Sequence, residues 1–428
     1  MQIDQLGLFL LFLIGTIVGG QINRGIYCLA WKQRRLGPWA KPHEQAPTRQ
    51  RSDLLPVIGW FGLRREVSIH GKGFWIRPLL LELFTGSWFA ALYWWEVSEL
   101  GLYPQIVKSL SVGGLERWEV HYQYLSHVIL FALMLVATFI DFDEQTIPDA
   151  ITIPGTLIAL FLAGFFPQSS LPNVQLMPLP PTASPLLTTS PNPWKDGLDQ
   201  LTGLGIGVAI VCVWGLAIVP RTWTTRYGIL KAFKYAFASI RRYRTWIIPL
   251  IVAVIANLLA ISIWWIGDNA WRSLFSSLVG LAFGGGLIWA VRIVGKWALR
   301  KEAMGFGDVT LMAMIGAFLG WQAVLLVFFL APVSAIFVSI VQWIVTRRRD
   351  IAFGPYLCFG AVIVVVVWDT MWKGWAENWF ELGSLIPAIL VVCLGIMGVM
   401  LLCWRGIEER LLSRSVAEMP QTKNSDVT

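Results

Sequence analysis

Charge is what this chain has least of. Only 14% of its 428 residues are Asp, Glu, Lys or Arg, where a soluble globular domain carries ~25%. With hydrophobic residues at 56%, that shortage excludes a soluble surface and indicates a polytopic membrane protein. Cysteine is also scarce. Cys28, Cys212, Cys358, Cys393 and Cys403 all fall in or beside apolar runs, and no two form a CxxC pair. Neither a zinc cluster nor a disulfide framework is indicated. No A-x-A cleavage pattern follows the first apolar run, "LGLFLLFLIGTIVGG", so that run is expected to be a retained span rather than a cleaved signal. Acids are the minority charge, giving a net +8. The basic residues sit in loops between apolar runs, so topology accounts for them and no nucleic acid partner is expected.

What is present is apolar and aromatic. The 24 tryptophans suit the two belts at the membrane interfaces, and the lipid bilayer is the first expected partner. Runs long enough to span, ~20 residues each, number roughly eleven. They lie near 6–28, 79–96, 124–141, 150–167, 201–219, 247–266, 273–295, 309–321, 323–345, 355–371 and 384–404. The fold class is therefore all-α, an integral membrane protein of roughly eleven helices. The eighth run is short and is expected to join the ninth as a re-entrant or tightly hairpinned pair.

Basic loops at 29–78, 220–246, 296–308 and 347–349 alternate with acidic or uncharged ones. The positive-inside rule places the basic loops in the cytoplasm, the N-terminus outside and the C-terminus inside. Segment 168–194, rich in Pro, Ser and Thr, reads as an extended exterior linker. The tail ending "AEMPQTKNSDVT" reads as cytoplasmic and disordered.

Two motifs carry chemistry. In "KEAMGFGDVTLMAMIGAFLG", residues 301–320, Asp308 stands at the entry to an apolar run behind Gly305 and Gly307. In "TFIDFDEQTIPDAITIPG", residues 138–155, Asp141, Asp143 and Glu144 end one span and Pro148-Asp149 opens the next. A carboxylate in a membrane is expensive and commonly functional. Singly, each acid reads as a cap or an interfacial residue, because span ends are wet. Together, Asp141 and Asp308 fall on one membrane face. Like charges a few Å apart share a proton; the ionised member activates water and the protonated one polarises a carbonyl. Glycine lets backbone approach a substrate strand closely.

These two motifs resemble those of the type IV prepilin peptidases, membrane aspartic proteases of the GxGD kind. Asp141 followed by Pro148-Asp149 is similar to the family's first motif, and Gly305, Gly307, Asp308 and Leu311 to its second. "FGPYLCFGA" at 353–361 resembles a third segment, and "GTIVGGQINR", "LLPVIGWFGLRRE" and "RPLLLELFTG", with Glu82, resemble N-terminal ones. The resemblance implies catalytic roles for Asp141 and Asp308, with Gly305, Gly307, Asp149 and Glu82 supporting them or binding substrate. It also implies a bacterial inner-membrane location and pilin-like or pseudopilin precursors as partners. Cleavage of the leader is expected at the cytoplasmic face.

Three departures stand out. The cytoplasmic loop lacks the two CxxC pairs many members carry, so no metal is expected, and His43 and His70 are too far apart in sequence to make a site alone. No cofactor is expected, and S-adenosylmethionine only if methyltransferase activity is retained, against which the missing cysteines argue. Thr310 stands where the family places Lys. An insertion at about 168–270 interrupts the core at 124–371, which follows an N-terminal region at 1–123; the stretch 372–428 adds a final span and the tail. A positively charged leader gains nothing from basic loops. The substrate's apolar segment, or the acids Glu82, Asp143 and Glu144, are the expected recognition elements. The second reading is a non-proteolytic scaffold or transporter, favoured by Thr310, the lost cysteines and the insertion, and opposed by retention of both aspartates.

Overall fold

A backbone surrounded by lipid must satisfy its own hydrogen bonds, so long apolar runs close into helices. In this computed structural model residues 5–109, 117–176, 181–219, 246–300, 304–346, 353–383 and 385–417 are described, with isolated positions between 231 and 244. The basic stretch 220–230, Arg347 to Arg349 and the tail from residue 418 lie outside the described residues. The principal helices are α1 (Gln5–Leu29), α2 (Ile76–Tyr93), α3 (Arg117–Glu144), α4 (Asp149–Phe165), α5 (Leu201–Ala217), α6 (Ile247–Ile266), α7 (Asp268–Leu299), α8 (Phe306–Thr346), α9 (Gly354–Val366) and α10 (Leu385–Ala417).

The chain is an all-α polytopic membrane protein. Among the described residues six helices are long and apolar enough to cross a membrane: α1, α3, α6, α7, α8 and α10. A seventh is reached if α9 and the segment Trp368–Phe380, bent from it by 81°, form one span. The shortfall from eleven has local causes. α4 and α5 have 17 residues each, and α2 carries Arg77 and Glu82 among its apolar residues. The eighth and ninth expected runs form the single element α8.

That element is not straight. At Gly320 the backbone leaves helical space (φ 84, ψ 164), a region that favours glycine. A Cβ on Gly316 would meet Val324 Cγ2 at 3.1 Å, although eight residues of straight helix rise ~12 Å. The chain therefore reverses at Gly320, as the tight pair expected from the sequence requires. The first limb packs on α7 with Gly280 and Gly284 facing Gly316 and Met312, where any side chain would overlap a carbonyl. Small residues four apart are what let membrane helices approach this closely.

The helix ends gather at two levels. One, the aspartate end, holds the end of α3 and the starts of α4, α8 and α9. The other, the hairpin end, holds segment 167–200. Its described residues, which leave out 177–180, are folded and not the extended linker the composition suggests. Strands β1 (Pro172–Gln175) and β2 (Thr182–Pro185) pair antiparallel, Pro172 opposite Pro185. Leu171, Val174 and Leu186 are buried. Indole N–H groups hold its carbonyls: Trp321 donates to Thr188 O (2.8 Å) and Trp368 to Pro172 O (2.9 Å). Proline and serine made the segment look unstructured; the tryptophans that fasten it lie far away in sequence.

The loop between α1 and α2 is fastened by charge. Arg49 makes two bonds to Glu66 (2.8 and 3.0 Å) and also donates to Gly37 O and Ala40 O. His70 Nε2 lies 3.3 Å from Glu66 Oε2, and Arg65 pairs with Asp53.

Candidate active site

The aspartate end is built by a short turn. α3 closes at Glu144; Gln145 takes a positive φ of 55°, and Pro148 starts α4. Proline restricts the residue before it to extended conformations, and that residue, Ile147, is buried. Asp141, in the last turn of α3, is 4% exposed.

α8 supplies the second acid. Asp308 lies in its first turn and is 7% exposed. Its carboxylate accepts the Gly305 backbone N–H, a reach back to the helix start that resembles half a capping box. Asp141 and Asp308 stand 167 residues apart in sequence (308 − 141), yet each lies within electrostatic range of the other. The buried Cys358 thiol is within range of both.

A third segment completes the site. α9 begins at Gly354 with Pro355 in its first turn, and Gly354 donates its N–H to Asp141 Oδ2 at 3.1 Å. Helix N-termini favour negative charge. Ile147 ties the three segments together: a Cβ on Gly307 would lie 2.9 Å from Ile147 Cβ, and one on Gly354 2.8 Å from Ile147 Cδ1. The glycine at 307 is therefore required by this side chain, an approach within the protein itself. A Cβ on Gly305 would make only ordinary contacts.

The other expected residues are elsewhere or engaged. Asp149 is exposed in the first turn of α4. Glu82, 1% exposed, accepts from Val57 N (2.6 Å), Trp60 Nε1 (2.8 Å) and Asn23 Nδ2 (3.2 Å), anchoring the loop to α1 and α2. Asp143 pairs with Arg77 at 2.9 Å. Glu144 accepts the N–H groups of Trp31 (2.7 Å) and Lys32 (2.8 Å). All three acids weighed for leader recognition thus have partners within the fold. Thr310 turns its hydroxyl onto Gly307 O at 3.0 Å. His43 is exposed, its Nδ1 accepting Gln45 N, while His70 sits on Glu66. No His, Cys, Asp and Glu cluster suited to a metal occurs among the described residues.

Gly354 and Ile147 were not singled out from sequence as site residues. Signals existed: glycine before proline at a helix start, and one apolar residue in an otherwise polar turn.

Two buried carboxylates held by backbone N–H groups at a membrane-helix terminus can share a proton and activate water. Comparison with known proteins points the same way. Residues 238–340, which include Asp308 but not Asp141, match the type IV leader peptidase family. The chain is similar to a prepilin leader peptidase/N-methyltransferase of Escherichia coli (strain K12), 30% identical over 179 residues, covering 40% of this chain and 73% of that protein. Proteins of the same description from Pectobacterium carotovorum (34% over 118 residues) and Pseudomonas aeruginosa (31% over 135 residues) are also similar. Those matches cover 26% and 29% of this chain, and 42% and 46% of the two relatives. No solved structure matches.

Proposed function

The chain belongs to the type IV leader peptidase family, and we propose that it is a membrane aspartic endopeptidase that removes the leader of prepilin-like precursors. The observation that carries the proposal is the meeting of Asp141 and Asp308 from distant parts of the chain, with Gly354 bonded to Asp141.

The pair holds one proton. The ionised carboxylate takes a proton from water, whose oxygen attacks the scissile carbonyl carbon. The protonated carboxyl polarises that carbonyl. Collapse of the tetrahedral species breaks the C–N bond, and the leaving amine takes a proton from the dyad. The step is routed through side chains and water alone. With Glu82, Asp143 and Glu144 engaged, the precursor is recognised through its apolar segment. The aspartate end faces the cytoplasm of a bacterial inner membrane, because the basic loop 29–78 shares that end.

The test is precursor processing in membranes at matched expression. Asp141→Asn and Asp308→Asn each abolish cleavage, since an amide keeps size and hydrogen bonding but cannot relay the proton. Members of one catalytic unit are non-additive, so the double variant is hardly worse than either single one. Near-normal processing by either variant would sink the dyad and favour the scaffold reading.

A further inference from the structure

Between α5 and α6 and the flanking α4 and α7 lies a groove of about 300 Å³. Every residue lining it is apolar or alanine. Its floor is made of Val211, Ala256, Ala260, Ile263, Leu274 and Leu278, all buried. Ala256 and Ala260 stand four apart on α6, on one helix face, and their small side chains hollow out the trough. Ile158, Phe161, Ile255 and Leu259 are 37–53% exposed and form its mouth.

Depth can be read along each helix at ~1.5 Å per residue. On α4 the lining residues lie ~12–24 Å from the aspartate end, and on α7 they lie ~9–15 Å from the hairpin end. On α6 they lie ~5–17 Å from the hairpin end. All three place the groove in the leaflet nearer the hairpin, within a hydrocarbon layer ~30 Å thick. Its mouth faces lipid.

The size selects the occupant. A cavity of ~150 Å³ lined by aliphatic and aromatic side chains takes up benzene, so this groove accommodates roughly a dozen carbons in line. Water finds no polar partner there, and an empty trough would forfeit the contacts of its whole lining.

We propose that the groove holds one acyl chain of a phospholipid from the leaflet on the hairpin side, wedging the pair α5–α6 against α4 and α7. The inference is independent of the peptidase reading.

It is tested on the full-length protein in bilayers containing a phospholipid with a mid-chain diazirine. After photolysis, labelled residues are mapped by peptide mass spectrometry. Labelling is expected to be several-fold higher on the groove residues of α4 and α6 than on the exposed apolar residues of α10. Ala260→Phe, or the milder Ala256→Leu, should remove that excess and leave α10 labelling unchanged. Equal labelling of groove and α10, or an excess untouched by a folded filling variant, overturns the proposal. Suppression of groove labelling by an added prepilin assigns the groove to the substrate and overturns it too. If neither variant folds, the wild-type ratio of groove to α10 labelling still decides.

Discussion

Replacing Gly354 with alanine adds one methyl group at the most sensitive point of the proposed site. The new Cβ would lie 2.7 Å from Asp141 Oδ2 and 2.8 Å from Ile147 Cδ1, where ordinary contact begins at 3.4 Å. The carboxylate or the start of α9 must therefore move by 3.4 − 2.7 = 0.7 Å, and the 3.1 Å bond from Gly354 N–H to Asp141 lengthens. A hydrogen bond to a charged group contributes ~1.5–3 kcal/mol. At ~1.36 kcal/mol per decade of rate, the loss amounts to roughly ten- to a hundredfold. Misplacement of catalytic groups by ~1 Å has a comparable effect, on the order of a hundredfold. The assay is the initial rate at which membranes containing the variant convert a prepilin to its mature form, at matched expression. Gly286→Ala on α7, where no atom lies within 4 Å, is the control and should process at the wild-type rate. Unlike Asp141→Asn, Gly354→Ala should leave slow but measurable cleavage, because both carboxyls remain. Wild-type rates for a folded Gly354→Ala protein would refute the assignment of Gly354 as the residue that positions Asp141.

Two further outcomes follow from the loop and the topology. Burial works against ionisation of Glu66, but hydrogen bonds and charge from Arg49, with His70 behind them, more than offset it and hold the carboxyl below its ordinary range. A carboxyl depressed on folding stabilises the loop above its unfolded pKa and loses that contribution as pH falls through the folded one. Protection of the loop between α1 and α2 from added protease in opened membranes should thus hold at neutral pH and weaken on acidification. Glu66→Gln should be susceptible at both, and equal pH dependence in that variant would refute the pairing. In a cysteine-free background, a cysteine at Gly197, whose surroundings are open, should label with an impermeant maleimide from outside. One at the exposed Glu44 should label only after permeabilisation, and the reverse pattern would invert the proposed orientation.

Much of this protein was legible in one dimension. Scarce charge and long apolar runs determine an all-α membrane protein, because lipid leaves the backbone no other partners. Gly305, Gly307 and Asp308, with Asp141 and Pro148, marked the place of the proposed site, since acids at a span entry need a reason. The reversal at Gly320 followed from a run too short to span alone. What local pattern could not supply is partnership. Glu82, Asp143 and Glu144 look like free acids in sequence; only folding brings Trp60, Arg77 and the Trp31 and Lys32 amides to them. Segment 167–200 reads as a linker until distant indoles from Trp321 and Trp368 close on its carbonyls. Gly354 becomes a neighbour of Asp141 across 213 residues, and Ile147 sets the glycine at 307. Side-chain periodicity records which face of a helix is apolar; which other helix covers that face is settled by packing many non-local contacts at once, and no single segment carries that information.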